Sequence, residues 1–296
     1  MKIPTTSYDS ITKNYVATIK WMSDIGVNIG SGRSRHYAKV IDCWKDAYKE
    51  ATEREAKEIF PDFVNSVFEI SDFIKIYEAF KNVAPEDLFS IRGKLQKGVS
   101  GPLRSEDEKP KSTVARNYIF EALVAARAHN PDSGVSAILN AESDTGVLFE
   151  DHKIWIECKR VTSINKIEAN VRDASTQLER LLNKKHGYGH RGVIAIDITK
   201  ILNENNKIYV RDNDQQLIDS TCQIMDSFIN EFSNEWQKVF LKRSKKVIGI
   251  IIRFSFMASS ESRGLLVHSS EWALNPRSGL KQNDEKVLRS FVDIIK

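Results

Sequence analysis

Three charged residues of the segment SDTGVLFEDHKIWIECKR, residues 143–160, could support chemistry together. Glu157 and Lys159 lie two residues apart at the end of an apolar, β-prone run, and Asp144 precedes the neighbouring run TGVLF. Alternate residues of a strand share a face, so Glu157 and Lys159 point together while Cys158 points away. Because unpaired buried charge is costly, this pattern predicts either an ion pair or a functional site.

The two runs predict a β-hairpin, and its register decides which side chains meet. With a turn centred on Asp151 and His152, Asp144 lies opposite Lys159. Directly opposed residues have Cβ atoms about 5 Å apart, and diagonal neighbours remain within side-chain reach. We therefore expect Asp144, Glu157 and Lys159 to converge on one patch. Asp151 also carries a carboxylate, but it lies in the predicted turn and is the weaker candidate.

Two carboxylates at this separation can hold a hard cation. Magnesium is bound through one or two carboxylates and is completed by water and phosphate oxygens. A neighbouring lysine can orient a water or stabilise charge on a phosphorus centre. We expect Mg²⁺, for which Mn²⁺ substitutes, at Asp144 and Glu157. The structural alternative is an Asp144–Lys159 ion pair on a wet sheet face, which the apolar flanking residues disfavour.

The order of these residues resembles the PD-(D/E)XK nuclease superfamily, the restriction-endonuclease-like proteins. The resemblance covers roughly residues 113–200. Ser143 stands where the motif has its proline, and a Glu-x-Lys tripeptide alone is a weak signal. The residues that carry the resemblance are, in chain order, Glu121, Asp144, Glu157, Cys158, Lys159 and Gln177.

The resemblance implies a mixed α/β fold with an αβββαβ core, and metal-dependent hydrolysis of phosphodiester bonds. It implies Asp144 and Glu157 as metal ligands, with Glu121 as an additional ligand. It also implies that Lys159 serves the attacking water and that Gln177 orients Lys159 or the substrate. The alternatives are a surface ion pair for Glu121 and an interface-edge position for Gln177. By analogy alone, the biological role is bacterial restriction or anti-phage defence.

Basic residues near this segment predict contacts with nucleic-acid phosphates, because Lys and Arg neutralise the backbone without reading its sequence. The basic clusters GSGRSRHYAK and KRSKK are more typical of a turn before a helix and of a solvated surface. DNA is the expected substrate, with RNA, including tRNA, as an alternative. Another alternative is a nuclease-like fold that serves as a binding or sensor module for a protein partner. The residues expected to bind nucleic acid are Arg160, Lys184, Lys185 and Arg191.

The elements that must position these residues divide the chain in two. Residues 1–108 predict a helical region for recognition, regulation or dimerisation, and residues 109–296 predict the nuclease domain. In the first part we expect helices near 8–25, 35–60, 63–83 and 85–95. Ser34 would cap the second of these helices and Pro61 would end it, and a linker would follow at 101–113. In the second part we expect helices at 113–129, 165–185, 214–241 and 281–295. Strands are expected at 136–142, 145–149, 153–161, 192–201, 247–257 and 264–272.

The composition is that of a globular protein. Hydrophobic residues make up 41% and charged residues 28%, which argues against disorder. The formal net charge of +4 permits a polyanionic partner. Three widely spaced cysteines, with no apolar signal or membrane-spanning segment, predict a cytoplasmic protein without disulfides and without membrane contact. The aromatic residues of the N-terminal helices, among them Trp21 and Trp44, could form a homodimer interface or a core.

Overall fold

The N-terminal part of the chain is helical. The computed structural model describes residues 6–30, 32–47, 50–109, 114–203, 207–262 and 265–295. A 3₁₀ turn at Pro85–Leu88 precedes the last helix of this part. Trp21 and Trp44 are buried in its core, 9% and 8% exposed. The helices are α1 (Tyr8–Asp24), α2 (Arg33–Ala47), α3 (Glu53–Phe80) and α4 (Phe89–Gly98).

The single helix predicted over residues 35–60 is in fact parts of two helices, and the prediction was wrong. The Thr52 hydroxyl accepts a hydrogen bond from the backbone N–H of Glu55, and the Glu55 carboxylate accepts one from the N–H of Thr52. This capping box satisfies N–H groups that a helix start leaves free, so α3 begins here. Ser34 lies inside α2, and Pro61 lies inside α3. Apolar residues keep a helical spacing across the break between α2 and α3, so periodicity alone does not reveal the break.

The remaining elements form a mixed α/β structure around one seven-stranded sheet in the described residues. The helices are α5 (Val114–Arg127), α6 (Ile167–Lys184), α7 (Thr199–Leu202), α8 (Asp214–Leu241) and α9 (Gln282–Ile295). The strands are β1 (Val135–Ile138), β2 (Thr145–Phe149), β3 (His152–Arg160), β4 (His190–Asp197), β5 (Ile208–Arg211), β6 (Val247–Ser260) and β7 (Leu265–Pro276). The predicted strand 192–201 ends at Asp197 and turns into α7, and β5 was not predicted.

The sheet combines parallel and antiparallel pairs. β1, β2 and β3 form an antiparallel meander, and β4 then pairs with β3 in parallel. β6 pairs in parallel with β4 along its first half and with β5 at its end. β7 pairs antiparallel along the other edge of β6. The run VIGIIIRFSFM is therefore an inner strand, which accounts for its uninterrupted apolar character.

The β2–β3 hairpin differs from its predicted register by two residues. Phe149 pairs with His152 across a two-residue turn at Glu150 and Asp151. Glu150 has φ of 50°, at the first turn position, where type II′ turns ordinarily place glycine. Because the difference is an even number, every side chain keeps its predicted face. The residue before β2, Asp144, is thereby placed beside Glu157 rather than opposite the lysine.

Helices cover both faces of the sheet. Ile154, Ile156 and Cys158 of β3 belong to a buried apolar cluster that also contains α5, α9 and the N-terminal helices. On the opposite face, Trp155 of β3 packs in a second cluster with α6 and α8. One apolar core thus contains residues from both sides of the predicted boundary at residue 108. Within the described ranges, no helix is both long and apolar enough to cross a membrane.

Candidate metal and nucleic-acid site

The candidate site lies where β3 continues beyond β2. Pairing between the two strands begins with Thr145 opposite Ile156, so the later residues of β3 pair with β4 alone. The space left beside them is a cleft of about 460 Å³, which we call the carboxylate cleft. Five of the predicted site residues line this cleft together. Its lining residues are Lys94, Tyr118, Glu121, Glu142, Ser143, Asp144, Glu157, Gln177, Arg180, Leu181 and Lys184.

Asp144 and Glu157 form the centre of the carboxylate cleft. Oδ2 of Asp144 accepts a hydrogen bond of 2.8 Å from the backbone N–H of Cys158, which fixes Asp144 against β3. The Asp144 and Glu157 carboxyl groups lie close enough to interact, and Glu157 is buried. Burial, and then the negative charge of Asp144, raise the pKa of Glu157 to about 8. A carboxyl pair of this kind gains stability when a cation neutralises it.

Lys159 and Gln177 lie next to this pair, as expected from the order of the motif. The Lys159 ammonium donates a hydrogen bond of 2.8 Å to Oε1 of Gln177, and its Nζ lies 3.7 Å from Oε2 of Glu157. Lys159 and Glu157 share a face because they are two residues apart on β3. Gln177 reaches them from α6, which packs on that face. The amide oxygen therefore holds the ammonium group beside the carboxylates.

Glu121 approaches from α5 and forms an ion pair with Lys94 of α4. Burial, and then the charge of Asp144, raise the pKa of Glu121, and Lys94 opposes that increase. Sequence reasoning missed Lys94, because nothing in the pattern of α4 indicates which helix it contacts. The nearest indication in the sequence that α4 packs closely on another helix is Gly98, one turn further along α4. A Cβ at this position would lie 2.2 Å from Cδ1 of Ile119 in α5.

The carboxylate cleft fits a sparse magnesium site. Among the described residues, no group of three or more His, Cys, Asp or Glu side chains is arranged to hold a metal ion. Asp144 and Glu157 are a pair, and magnesium in proteins is commonly bound by one or two carboxylates plus water and phosphate oxygens. The raised pKa of Glu157 shows that its charge is poorly compensated by the protein alone. Both carboxyl groups therefore suit a divalent cation.

Two cations of α6 line the cleft. Arg180 and Lys184 are exposed, and neither forms a hydrogen bond or an ion pair in the described part of the chain. They lie one turn apart and follow Gln177 along the same side of α6. We call Arg180 and Lys184 the cleft cations. Lys184 was predicted as a nucleic-acid contact, whereas Arg180 was not.

The other predicted nucleic-acid contacts do not line the cleft. Lys185 forms an ion pair with Glu142, and its Nζ lies 5.1 Å from the centre of the Trp155 ring. Arg191 is bound by Asp284, with 2.5 Å between Nε and Oδ1. Lys185 and Arg191 are thus already paired with acidic side chains of the protein. A phosphate would have to compete with these carboxylates to bind them.

Arg160 belongs to a buried chain of ion pairs on the opposite face of β3. Its Nη1 lies 3.2 Å from Oε1 of Glu108, and its side chain is 11% exposed. The chain joins α2, α3 and α5 to three strands, and Glu108 comes from the predicted linker. We call it the buried charge network. Its members, in the order of their contacts, are Arg33, Glu69, Arg116, Glu108, Arg160, Asp197, Arg253 and Asp72.

Comparison of the chain with known proteins gives no match to a protein-family model, to a curated protein or to a solved structure.

Proposed function

We propose that this protein is a Mg²⁺-dependent nuclease that hydrolyses phosphodiester bonds in the carboxylate cleft. One observation carries the proposal: two neighbouring carboxyl groups, Asp144 and the buried Glu157, lie beside a lysine held by an amide, in a cleft that two exposed cations of α6 also line. The element order α5-β1-β2-β3-α6-β4 agrees with the αβββαβ core of the PD-(D/E)XK nucleases, which the residue pattern resembles. The geometry of the cleft and the element order are both independent of the overall amino-acid composition.

Asp144 and Glu157 would hold the metal ion through their carboxylate oxygens. When bound, Mg²⁺ supplies Lewis-acid stabilisation of phosphoryl charge and lowers the pKa of a bound water. Lys159 places a positive charge beside the carboxylates, where it stabilises negative charge that develops on the phosphate. Gln177 accepts a hydrogen bond from Lys159 and so fixes the direction of the ammonium group.

The cleft cations give the substrate class. Arg180 and Lys184 form no hydrogen bond or ion pair in the described part of the chain, and a polyanionic backbone would neutralise their charges. Phosphate contacts position the strand without reading its sequence. Tyr188, in the loop after α6, is 98% exposed and offers a ring on which a base can stack. DNA is the substrate we propose first, and RNA is the alternative.

Cleavage of a substrate panel tests this proposal. Full-length protein is incubated with plasmid DNA, single-stranded DNA and tRNA, with Mg²⁺ or with a chelator. We expect cleavage of at least one substrate with Mg²⁺ and none with chelator. Lys159→Met should lose at least about a hundredfold in rate, as expected for a group that stabilises transition-state charge. Glu168→Gln, at an exposed carboxylate of α6 paired with Arg172, is the matched control and should retain activity.

A second candidate function is a binding or sensor module with the same fold. The observation in its favour is the Lys94–Glu121 ion pair, which engages a carboxylate that the resemblance implies as a ligand. In that case the wild-type protein would bind nucleic acid in a salt-dependent manner and would cleave no member of the panel with any divalent cation.

A further inference from the structure

We infer that Lys94 keeps Glu121 out of the metal coordination sphere, so that α4 limits the cation site to Asp144 and Glu157. This inference rests on the proposed function, because it concerns the same cation site. It assigns a positioning role to a residue of the N-terminal helices. It also explains how four carboxylates can line one cleft while only two of them are available to a cation, because Glu142 is paired with Lys185 and Glu121 with Lys94.

The first step is the ion pair itself. Lys94 and Glu121 side chains are 13% and 11% exposed, so water competes weakly for either charge. Lys159 also acts electrostatically on Glu121, but its ammonium is held by Gln177 and lies beside Glu157. Release of the Glu121 carboxylate to a bound cation would leave the buried Lys94 ammonium without its partner, which is strongly unfavourable.

The second step is that the helices hold Lys94 in place. α4 and α5 contact each other in an antiparallel register, in which Lys94 meets Glu121, Lys97 meets Tyr118 and Gly98 meets Ile119. The Lys97 ammonium lies 4.5 Å from the centre of the Tyr118 ring. Because three successive contacts agree on one register, the ion pair follows from helix packing and not from the reach of one flexible lysine.

The third step concerns the end of α4. The carbonyl oxygen of Gly98 accepts hydrogen bonds of 3.0 Å and 2.6 Å from Nε and Nη2 of Arg33. Arg33 is buried and is the first member of the buried charge network. The network thus anchors α4, and α4 in turn anchors Lys94. Displacement of α4 would be needed to give Glu121 to a cation.

The test counts the water molecules that remain bound to a cation in the cleft, without measuring cleavage. Eu³⁺ is a hard, oxygen-seeking probe, and its luminescence lifetimes in H₂O and D₂O report the number of bound waters. We expect Glu121→Gln to leave that number unchanged, because Glu121 is not a ligand. Lys94→Met should lower it by at least one, as the freed carboxylate replaces water. The double variant should return it to the wild-type value.

Lys97→Met is the matched control, since it removes a lysine from the same helix without freeing a carboxylate. It should leave the number of bound waters unchanged. Lys94→Gln replaces Lys94→Met if thermal unfolding shows that the methionine variant is not folded. A Glu121→Gln variant with one or two additional bound waters would overturn the inference, because Glu121 would then be a ligand in the wild type. Eu³⁺ binding that survives Asp144→Asn and Glu157→Gln unchanged would instead remove the cation site, and with it both the proposed function and this inference.

Discussion

Replacement of Glu69 by glutamine should strongly destabilise the protein, because two buried guanidinium groups depend on this carboxylate. Oε1 of Glu69 lies 2.5 Å from Nε of Arg116, and Oε2 lies 3.3 Å from Nη1 of Arg33. The Arg33 side chain is fully buried and that of Arg116 is 4% exposed. Glutamine preserves the shape of the side chain, removes its charge and replaces one acceptor oxygen with an NH₂ donor. The substitution therefore removes the charge and one of the two acceptor contacts with the guanidinium groups.

Two estimates of the magnitude agree. Removal of one partner from a buried ion pair costs about 3–5 kcal/mol, because the remaining charge stays buried. Burial raises the pKa of Glu69, but Arg116 and Arg33 more than reverse this effect and lower it from 4.5 to about 2. At about 1.4 kcal/mol for each unit of pKa, this lowering of the Glu69 pKa corresponds to about 3 kcal/mol of folded-state stability. We expect Glu69→Gln to lose about 3 kcal/mol.

The assay is urea unfolding of the full chain at pH 7, with Glu53→Gln as the matched control. Glu53 lies on the same helix in an exposed ion pair with Lys57 and should change the free energy of unfolding by less than about 1 kcal/mol. The wild-type protein should lose the Glu69 contribution as the pH falls from about 4.5 towards 2, because the folded-state pKa is the lower one. A Glu69→Gln variant within 1 kcal/mol of the wild type at pH 7 would refute the reasoning.

Three further predictions concern the cleft and its supports. The pKa of Glu157 in the folded protein is raised to about 8, so the free energy of unfolding of the metal-free protein should fall as the pH rises from about 4.5 to 8. Asp144→Asn should reduce that fall. In thermal unfolding, this variant should be about 1 kcal/mol more stable than the wild type at pH 9 and little more stable at pH 5. Gly98→Ala should destabilise by about 1–3 kcal/mol through its clash with α5, while Gly93→Ala, with open space around its Cβ, should stabilise by up to about 1 kcal/mol. Substitution of both cleft cations by glutamine should lower the slope of log affinity for single-stranded DNA against log salt by about 1.4, as measured by fluorescence anisotropy; an unchanged slope would exclude them as phosphate contacts.

Local patterns in the sequence were sufficient to predict most elements and the proximity of Asp144, Glu157 and Lys159. Alternation in β3 predicts that Glu157 and Lys159 share a face, and the structure shows them 3.7 Å apart at Nζ and Oε2. The register of the hairpin could not be predicted, because Glu150 takes a positive φ that the sequence marks with no glycine. The start of α3 was missed although Thr52 and Glu55 form a capping box, since the apolar rhythm outweighed it.

Ion pairs between residues that are distant in the chain could not be predicted from the sequence. Lys94 and Glu121 are 27 positions apart, and only the packing of α4 on α5 brings them together. Arg160 was expected to bind nucleic acid, yet it is next to Lys159, and adjacent residues of a strand face opposite ways. That alternation places Arg160 in the buried charge network instead. Burial of a long-range ion pair depends on the whole fold, so no short motif predicts it.

The most direct test of the central claim compares Mg²⁺-dependent cleavage of plasmid DNA by the wild type and by Glu157→Gln, with DNA binding measured on the same samples. The wild type should bind and cleave, and the variant should bind with similar affinity and cleave at least about a hundredfold more slowly. Equal cleavage by the two proteins, or a wild type that binds DNA and tRNA and never cleaves either, would contradict the account.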